Sequence, residues 1–284
     1  MAKFPRYFTI WQKLGLSGVK LTAYLVLLFL MAPILVIIPL SFNAEPYFTF
    51  TEGMLALDPS AYSLKWYEEI LADQKWILAI KNSFYIGLMA TLIATVLGTT
   101  AAIGLTSGQM PFQRMIMALL LSPMIVPLII TAAGMFFFYT QLDIAGSYMG
   151  VILAHAALGT PFVVITVNAA LAGFDYSLVR ASLGMGAKPV YTFFKVIMPL
   201  IRPGVISGAL FAFVTSFDEV IVVLFLAGPE QRTIPRQMFS GLREEINPTI
   251  LAVATLLVII SGLLLLTMEY LRARGEKMRA GELD

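Results

Sequence analysis

Asp218 and Glu219 stand side by side in a run, Val205 to Leu226, that is otherwise almost wholly apolar. A carboxylate at the centre of a bilayer costs about 2.5–3.5 kcal/mol on insertion scales. Two in succession therefore need water, a cation or a protein partner. One reading is a cation-attracting site on a permeation path, with Phe217 beside it. The other is a hydrogen-bonded helix break that shapes a gate. Successive helical residues point about 100° apart, so both carboxylates face one cavity only if the helix is interrupted there. Ser216 and Asp218 are the cap-competent residues for such a break.

His155 is the sole histidine and there is no cysteine. Thiolate chemistry, disulfides and any metal motif needing two histidines are thereby excluded. His155 reads either as a buried hydrogen-bonding residue or as a proton relay. Phe136, Phe137, Phe138 and Tyr139 form a consecutive aromatic run. It reads as interfacial belt and packing, with Tyr139 as a candidate contact for a passing solute. Gly204-x-x-x-Gly208 and Gly146-x-x-x-Gly150 fit close helix contact.

The elements that must hold these residues are membrane helices. Hydrophobic residues make up 59% of the 284 and charged residues 13%, against about 45–50% and 25% in soluble domains. Charge-poor stretches run over Leu21–Phe42, Asn82–Thr106, Met115–Gln141, Ser147–Gly173, Val196–Leu226 and Pro248–Leu271. Each is long enough to cross a bilayer. The first is too long for a secretory leader and no small-residue cleavage pattern follows it, so a retained helix is expected. Pro123 and Pro127 in the third predict a kink and not a break. The fold class expected is an all-α integral membrane protein with six transmembrane helices.

Lysine and arginine bias orients the spans. Lys3, Arg6, Lys13 and Lys20 precede the first; Arg114 lies between the second and third; Arg180, Lys188 and Lys195 lie between the fourth and fifth; Arg272, Arg274, Lys277 and Arg279 follow the sixth. These segments are expected inside. The segment from Asn43 to Lys81, with Glu45, Glu52, Asp58, Glu68, Glu69 and Asp73, is expected outside. The resulting division is a cytoplasmic tail over 1–20, a first span over 21–42, an outer segment over 43–81, a transmembrane core over 82–271 and a cytoplasmic tail over 272–284. Within the outer segment, Ala61 to Ile80 predicts an amphipathic surface helix, either an interfacial anchor or a docking surface for an external protein.

The segment 174–196, between the fourth and fifth spans, is longer than a connection requires. Leu178, Ala181 and Met185, then Val190, Phe193, Phe194 and Ile197, recur at helical spacing around Gly184 and Gly186. A short helix, a tight turn and a second short helix on the cytoplasmic face are expected. Pro199 and Pro203 mark entry into the fifth span.

The run Ala181-Ser182-Leu183-Gly184-Met185-Gly186-Ala187, followed by Met198-Pro199 and Arg202-Pro203-Gly204, resembles the "EAA" loop of the membrane subunits of binding-protein-dependent ABC importers. Ser63-Leu64-Lys65-Trp66-Tyr67, Asn82-Ser83, Ser216-Phe217-Asp218-Glu219 and Phe239 through Ile250 are similar to the spermidine/putrescine permease branch of that family. The resemblance covers roughly residues 20 to 272 and implies a coupling helix seated in a cleft of a cytoplasmic ATPase. Arg180, Ala181, Ser182, Leu183, Gly184, Met185, Gly186, Ala187 and Pro189 would form that contact. Gly186 matches the family's glycine; Arg180 falls where the family usually has a glutamate, and Ser182 replaces its second alanine.

The partners implied are a cytoplasmic ATP-binding subunit dimer, a homologous second permease subunit, a periplasmic solute-binding protein and membrane lipid, in a bacterial inner membrane with both termini cytoplasmic. The chain lacks the G-x-x-x-x-G-K-[ST] phosphate cradle, so ATP and Mg would be bound by the partner and no cofactor by this chain. A net charge of +2 gives no reason to expect nucleic acid. The function expected is a non-catalytic permease subunit for a small organic, cationic solute such as a polyamine. The alternative is a proton-coupled secondary transporter with Glu219 or His155 titrating, although no internal repeat is evident. A membrane enzyme has too few reactive side chains to work with.

Overall fold

A computed structural model describes residues 9–106, 110–244 and 247–279. The tail residues Lys3 and Arg6, together with Glu245 and Ile246 of the Phe239–Ile250 resemblance, lie outside the described residues. Among the described residues the regular structure is helical, with a single isolated bridge between Asn43 and Tyr62.

The chain divides into two compact units, residues 1–70 with 246–259, and residues 71–245 with 260–284. In the first unit, α1 (Ile10–Leu40) opens on a capping box in which Thr9 and Gln12 satisfy each other's backbone N–H. The helix thus begins well before the expected span start at Leu21. Its apolar side chains are exposed along most of its length, as suits a helix solvated by lipid or by neighbouring subunits. After it come α2 (Glu52–Leu55) and a 3₁₀ turn, Pro59–Ala61. The helix α3 (Lys65–Ala72) follows.

These short pieces are tied by directional bonds. Trp66 Nε1 donates to Asn43 O at 2.7 Å, Asn43 Nδ2 donates to Tyr47 O and Thr49 O, and the Tyr67 and Ser41 hydroxyls are 2.6 Å apart. Asn247 Nδ2 and Thr249 Oγ1 donate to the Glu69 carboxylate at 3.2 and 3.0 Å. The expected amphipathic helix over Ala61–Ile80 is two helices. Asp73 ends α3 and caps α4 (Gln74–Thr106), its carboxylate taking the Lys75 N–H at 2.8 Å. Trp76, Ile77 and Ile80 therefore belong to the second span.

In the second unit, α4 is followed by α5 (Gln113–Ile125) and α6 (Leu128–Gln141). These two are bent by 105°, so the third span is broken and not merely kinked. Pro123 is tolerated inside α5: the Leu119 carbonyl it leaves without its N–H accepts the Ser122 hydroxyl at 2.7 Å. Pro127 breaks the helix because its ring drives Val126 out of the helical region, to φ −70 and ψ 134. Then come α7 (Tyr148–Leu171), α8 (Ser177–Gly184), α9 (Pro189–Thr192) and a π-helical turn, Phe193–Ile197.

That turn runs directly into α10 (Met198–Phe217), so the second short helix of the 174–196 segment is continuous with the fifth span. The π turn has a local cause. Met198 N–H reaches back five residues to Phe193 O, and Pro199 has no N–H to continue the ladder. The unit is completed by α11 (Ile221–Leu226), α12 (Ile234–Glu244) and the later part of α13 (Thr249–Arg279). Among the described residues five helices are long and apolar enough to cross a membrane, or six if the bent α5–α6 pair counts as one span.

The core of this unit is where α4, α7 and α10 meet. Small residues let the backbones close: a Cβ on Gly98 would stand 2.6 Å from Val163 Cβ, and one on Gly204 would stand 2.7 Å from Ala170 Cβ. Gly204-x-x-x-Gly208 is thus a true helix contact. Gly146-x-x-x-Gly150 is not: Gly146 precedes α7 in a left-handed turn at φ +74, and its N–H donates to Leu226 O at 2.8 Å.

Candidate functional site

The fifth span is interrupted where the sequence has its two carboxylates. α10 ends at Phe217 with Asp218 as its C-cap, and α11 begins at Ile221. Glu219 is buried, and its Oε1 accepts the Val222 N–H at 2.9 Å. In an unbroken helix that N–H would bond to Asp218 O, so the Glu219 side chain takes over a backbone role and starts α11. Asp218 takes the C-cap position of α10, as the sequence suggests, but the side chain that satisfies the start of α11 is that of Glu219. Ser216 instead pairs with His155 Nδ1 at 2.7 Å, and Asp218 is left exposed. The neighbouring carboxylates thus have different duties, one spent on the backbone and one exposed.

Phe217 packs with Phe213 and Phe84, ring centroids 5.4 and 5.2 Å away. Beside this cluster lies an apolar crevice of about 440 Å³, lined by Phe84, Leu88, Ile206, Phe213, Ile260 and Leu264 among others. Tyr139 is on α6, its ring against Phe138 and near Gly150, and not in the Phe217 cluster. Phe136, Phe137 and Phe138 are exposed.

Around Gly186 the chain makes a Schellman turn. Ala187 N–H donates to Ser182 O at 3.2 Å and Gly186 N–H to Leu183 O at 2.9 Å, with Gly186 at φ +83. The Ser182 and Thr192 hydroxyls, 2.9 Å apart and buried, tie α8 to α9. Asp175 starts the segment: the Ser177 hydroxyl and N–H both donate to its carboxyl and hold it below the usual carboxylate range. Leu183, Met185, Val190, Tyr191 and Phe194 are exposed, Met185 at 82%. Arg180, Ala181, Gly184 and Pro189 are also exposed, while Ser182 is buried and Ala187 half-buried. Exposed apolar side chains of this kind suit contact with another protein or with the membrane surface.

Sequence reasoning missed a third cluster. Asn82 Nδ2 donates to Glu230 O at 2.6 Å and to Arg232 O at 2.9 Å, and Ser83 Oγ accepts the Ile234 N–H at 2.8 Å. The Tyr148 hydroxyl lies 2.9 Å from Asn82 Oδ1. Arg236 donates to Ala227 O and Gly228 O at 3.0 and 2.7 Å. Together they fix the loop between α11 and α12. The signal was the pair Asn82-Ser83, two polar residues in the buried face of an apolar helix.

A family model, binding-protein-dependent transport system inner membrane component, matches residues 94–276. The chain belongs to that family: it is a multi-pass inner-membrane permease subunit of an ABC importer, not its ATP-hydrolysing subunit. Among its relatives, the putrescine transport system permease protein PotI of Escherichia coli (strain K12) is 32% identical over 267 residues, covering 90% of this chain and 91% of the relative. The spermidine/putrescine transport system permease protein PotC of Haemophilus influenzae is 29% identical, covering 84% of this chain and 90% of the relative.

Solved structures share the fold. A chain of a bacterial ABC transporter involved in import of the acidic polysaccharide alginate has a TM-score of 0.73 at 14% identity, covering 94% of this chain and 99% of that one. A chain of the MetNI methionine ABC transporter has 0.54 at 19%, covering 80% and 99%. Membership of this family sets aside the proton-coupled secondary transporter.

Proposed function

We propose that this permease forms one wall of an import path for a small organic cation of the polyamine class, and that Asp218 is its charged contact. The observation that carries this is the division of labour at the α10–α11 break, where Glu219 is bound to the backbone and Asp218 is exposed. An anionic group there favours a cation: at about 4 Å and an effective dielectric near 20, one ion pair is worth roughly 4 kcal/mol before desolvation. Relatives named for putrescine and spermidine support the same reading.

Energy enters through the segment α8–α9, which we read as cytoplasmic. Its residues from Arg180 to Pro189 seat against a separate ATPase dimer that binds ATP and Mg. A homologous permease subunit completes the path, and an external solute-binding protein delivers the cargo. Both termini lie inside. Asp218→Asn, assembled with its partners in proteoliposomes, should lose about tenfold or more of ATP-driven putrescine uptake, equivalent to about 1.4 kcal/mol or more. Uptake at the native rate removes Asp218 from the path.

A further inference from the structure

The contact between α7 and α10 is a seam of small residues with one polar bond at its end. Along it, a Cβ on Gly204 would stand 2.8 Å from Thr166 O, one on Gly208 would stand 2.8 Å from Val163 Cα, and one on Gly159 would stand 2.9 Å from Ala212 Cβ. Such contacts fix how closely two helices approach. They do not fix the register, because glycine and alanine present no knob that resists a slide along the axis. The next step along the seam is His155 opposite Ser216, Nδ1 to Oγ 2.7 Å, both buried. This bond is directional and does fix register. It also sits two residues before Asp218, on the last turn of α10. His155 is 1% exposed, and among the described residues only its Nδ1 has a hydrogen-bond partner.

We propose that His155 is a positioning residue for the path: its bond to Ser216 pins α10 on α7 and thereby sets where Asp218 is presented. The imidazole acts through Ser216 and touches no solute. The transport consequence rests on the reading of Asp218 given above; the positional consequence is measured separately.

The chain has no cysteine, so Asp218→Cys creates a single thiol in this chain, and its labelling is read on this chain after the subunits are separated. In the assembled complex, its rate of modification by a cationic, water-soluble methanethiosulfonate reports how position 218 is presented. His155→Asn offers an amide where Nδ1 stands and keeps the Ser216 bond, whereas His155→Leu fills the space without it. The rate should stay within about twofold of the parent in the Asn background and change by about threefold or more in the Leu background, as expected for one lost hydrogen bond. Ser216→Ala should behave like Leu, and the double variant should add nothing further. Leu55→Cys, exposed at the end of α2 and outside both the α7–α10 seam and the segment 174–196, should react at the same rate in every background.

Equal rates at position 218 in all backgrounds overturn the proposal, as does an Asn variant as disturbed as Leu. If Leu prevents assembly, Ser216→Ala carries the test with the loss of one oxygen. Should the rates respond as expected while Asp218→Asn transports normally, the pin stands and the path reading falls. A position 218 that the reagent reaches in no background overturns both.

Discussion

Substituting Gly186 separates a backbone requirement from a contact requirement. At φ +83 this residue occupies the left-handed region, and a Cβ built on it meets nothing within 4 Å. Against the described residues of this chain alanine therefore meets no steric cost, only the left-handed backbone penalty of about 1–2 kcal/mol. That shifts the ratio of formed to unformed turn by about 5- to 30-fold. Unforming the turn releases the bonds from Gly186 and Ala187 to Leu183 and Ser182 and loosens the Met185 surface.

Asparagine tolerates the left-handed region, so Gly186→Asn should fall between glycine and alanine, and Gly186→Val below both. The assay is ATP-driven uptake, measured alongside ATP hydrolysis, in the reconstituted assembly. Hydrolysis should persist while uptake per ATP falls in the order Gly, Asn, Ala, Val. Equal coupling in all four, or an Asn variant worse than Val, would refute the argument from backbone conformation.

Glu219→Gln keeps an oxygen for the Val222 N–H and should leave uptake near native, whereas Glu219→Ala should lower the melting temperature of the complex through a cap loss of about 0.5–2 kcal/mol. Uptake that falls as far with Gln as with Asp218→Asn contradicts the division of labour at the break. Gly208→Leu must push its Cβ against Val163 Cα, a backbone atom that cannot yield. It should destabilise the complex by about 1–3 kcal/mol, read as a lower melting temperature; an unchanged one would mean that the α7–α10 seam is looser than described.

The spans were legible in the sequence because runs of apolar residues have few alternatives to a membrane. The turn at Gly186 was legible as well, since glycines flanked by helical spacing mark the place where the backbone must leave the right-handed region. What stayed hidden depends on which partner a group finds. Pro123 and Pro127 look alike in one dimension, but a serine hydroxyl rescues the carbonyl freed by the first, and only the second forces its predecessor into an extended conformation. Of Asp218 and Glu219, the sequence marks the shorter as the cap-competent one, yet it is the longer side chain that reaches the Val222 amide. Gly146 and Gly150 matched a helix-contact spacing although the first lies outside the helix. The Asn82–Arg232 loop anchor joins residues some 150 positions apart, and periodicity carries no information at that range.

Reconstitution by omission tests the central claim most directly. Proteoliposomes holding this permease, its paired permease, the ATPase and the binding protein should take up putrescine only when ATP is supplied, and omission of the ATPase should abolish uptake. Uptake that persists without the ATPase, driven by a pH gradient through this chain, would contradict it.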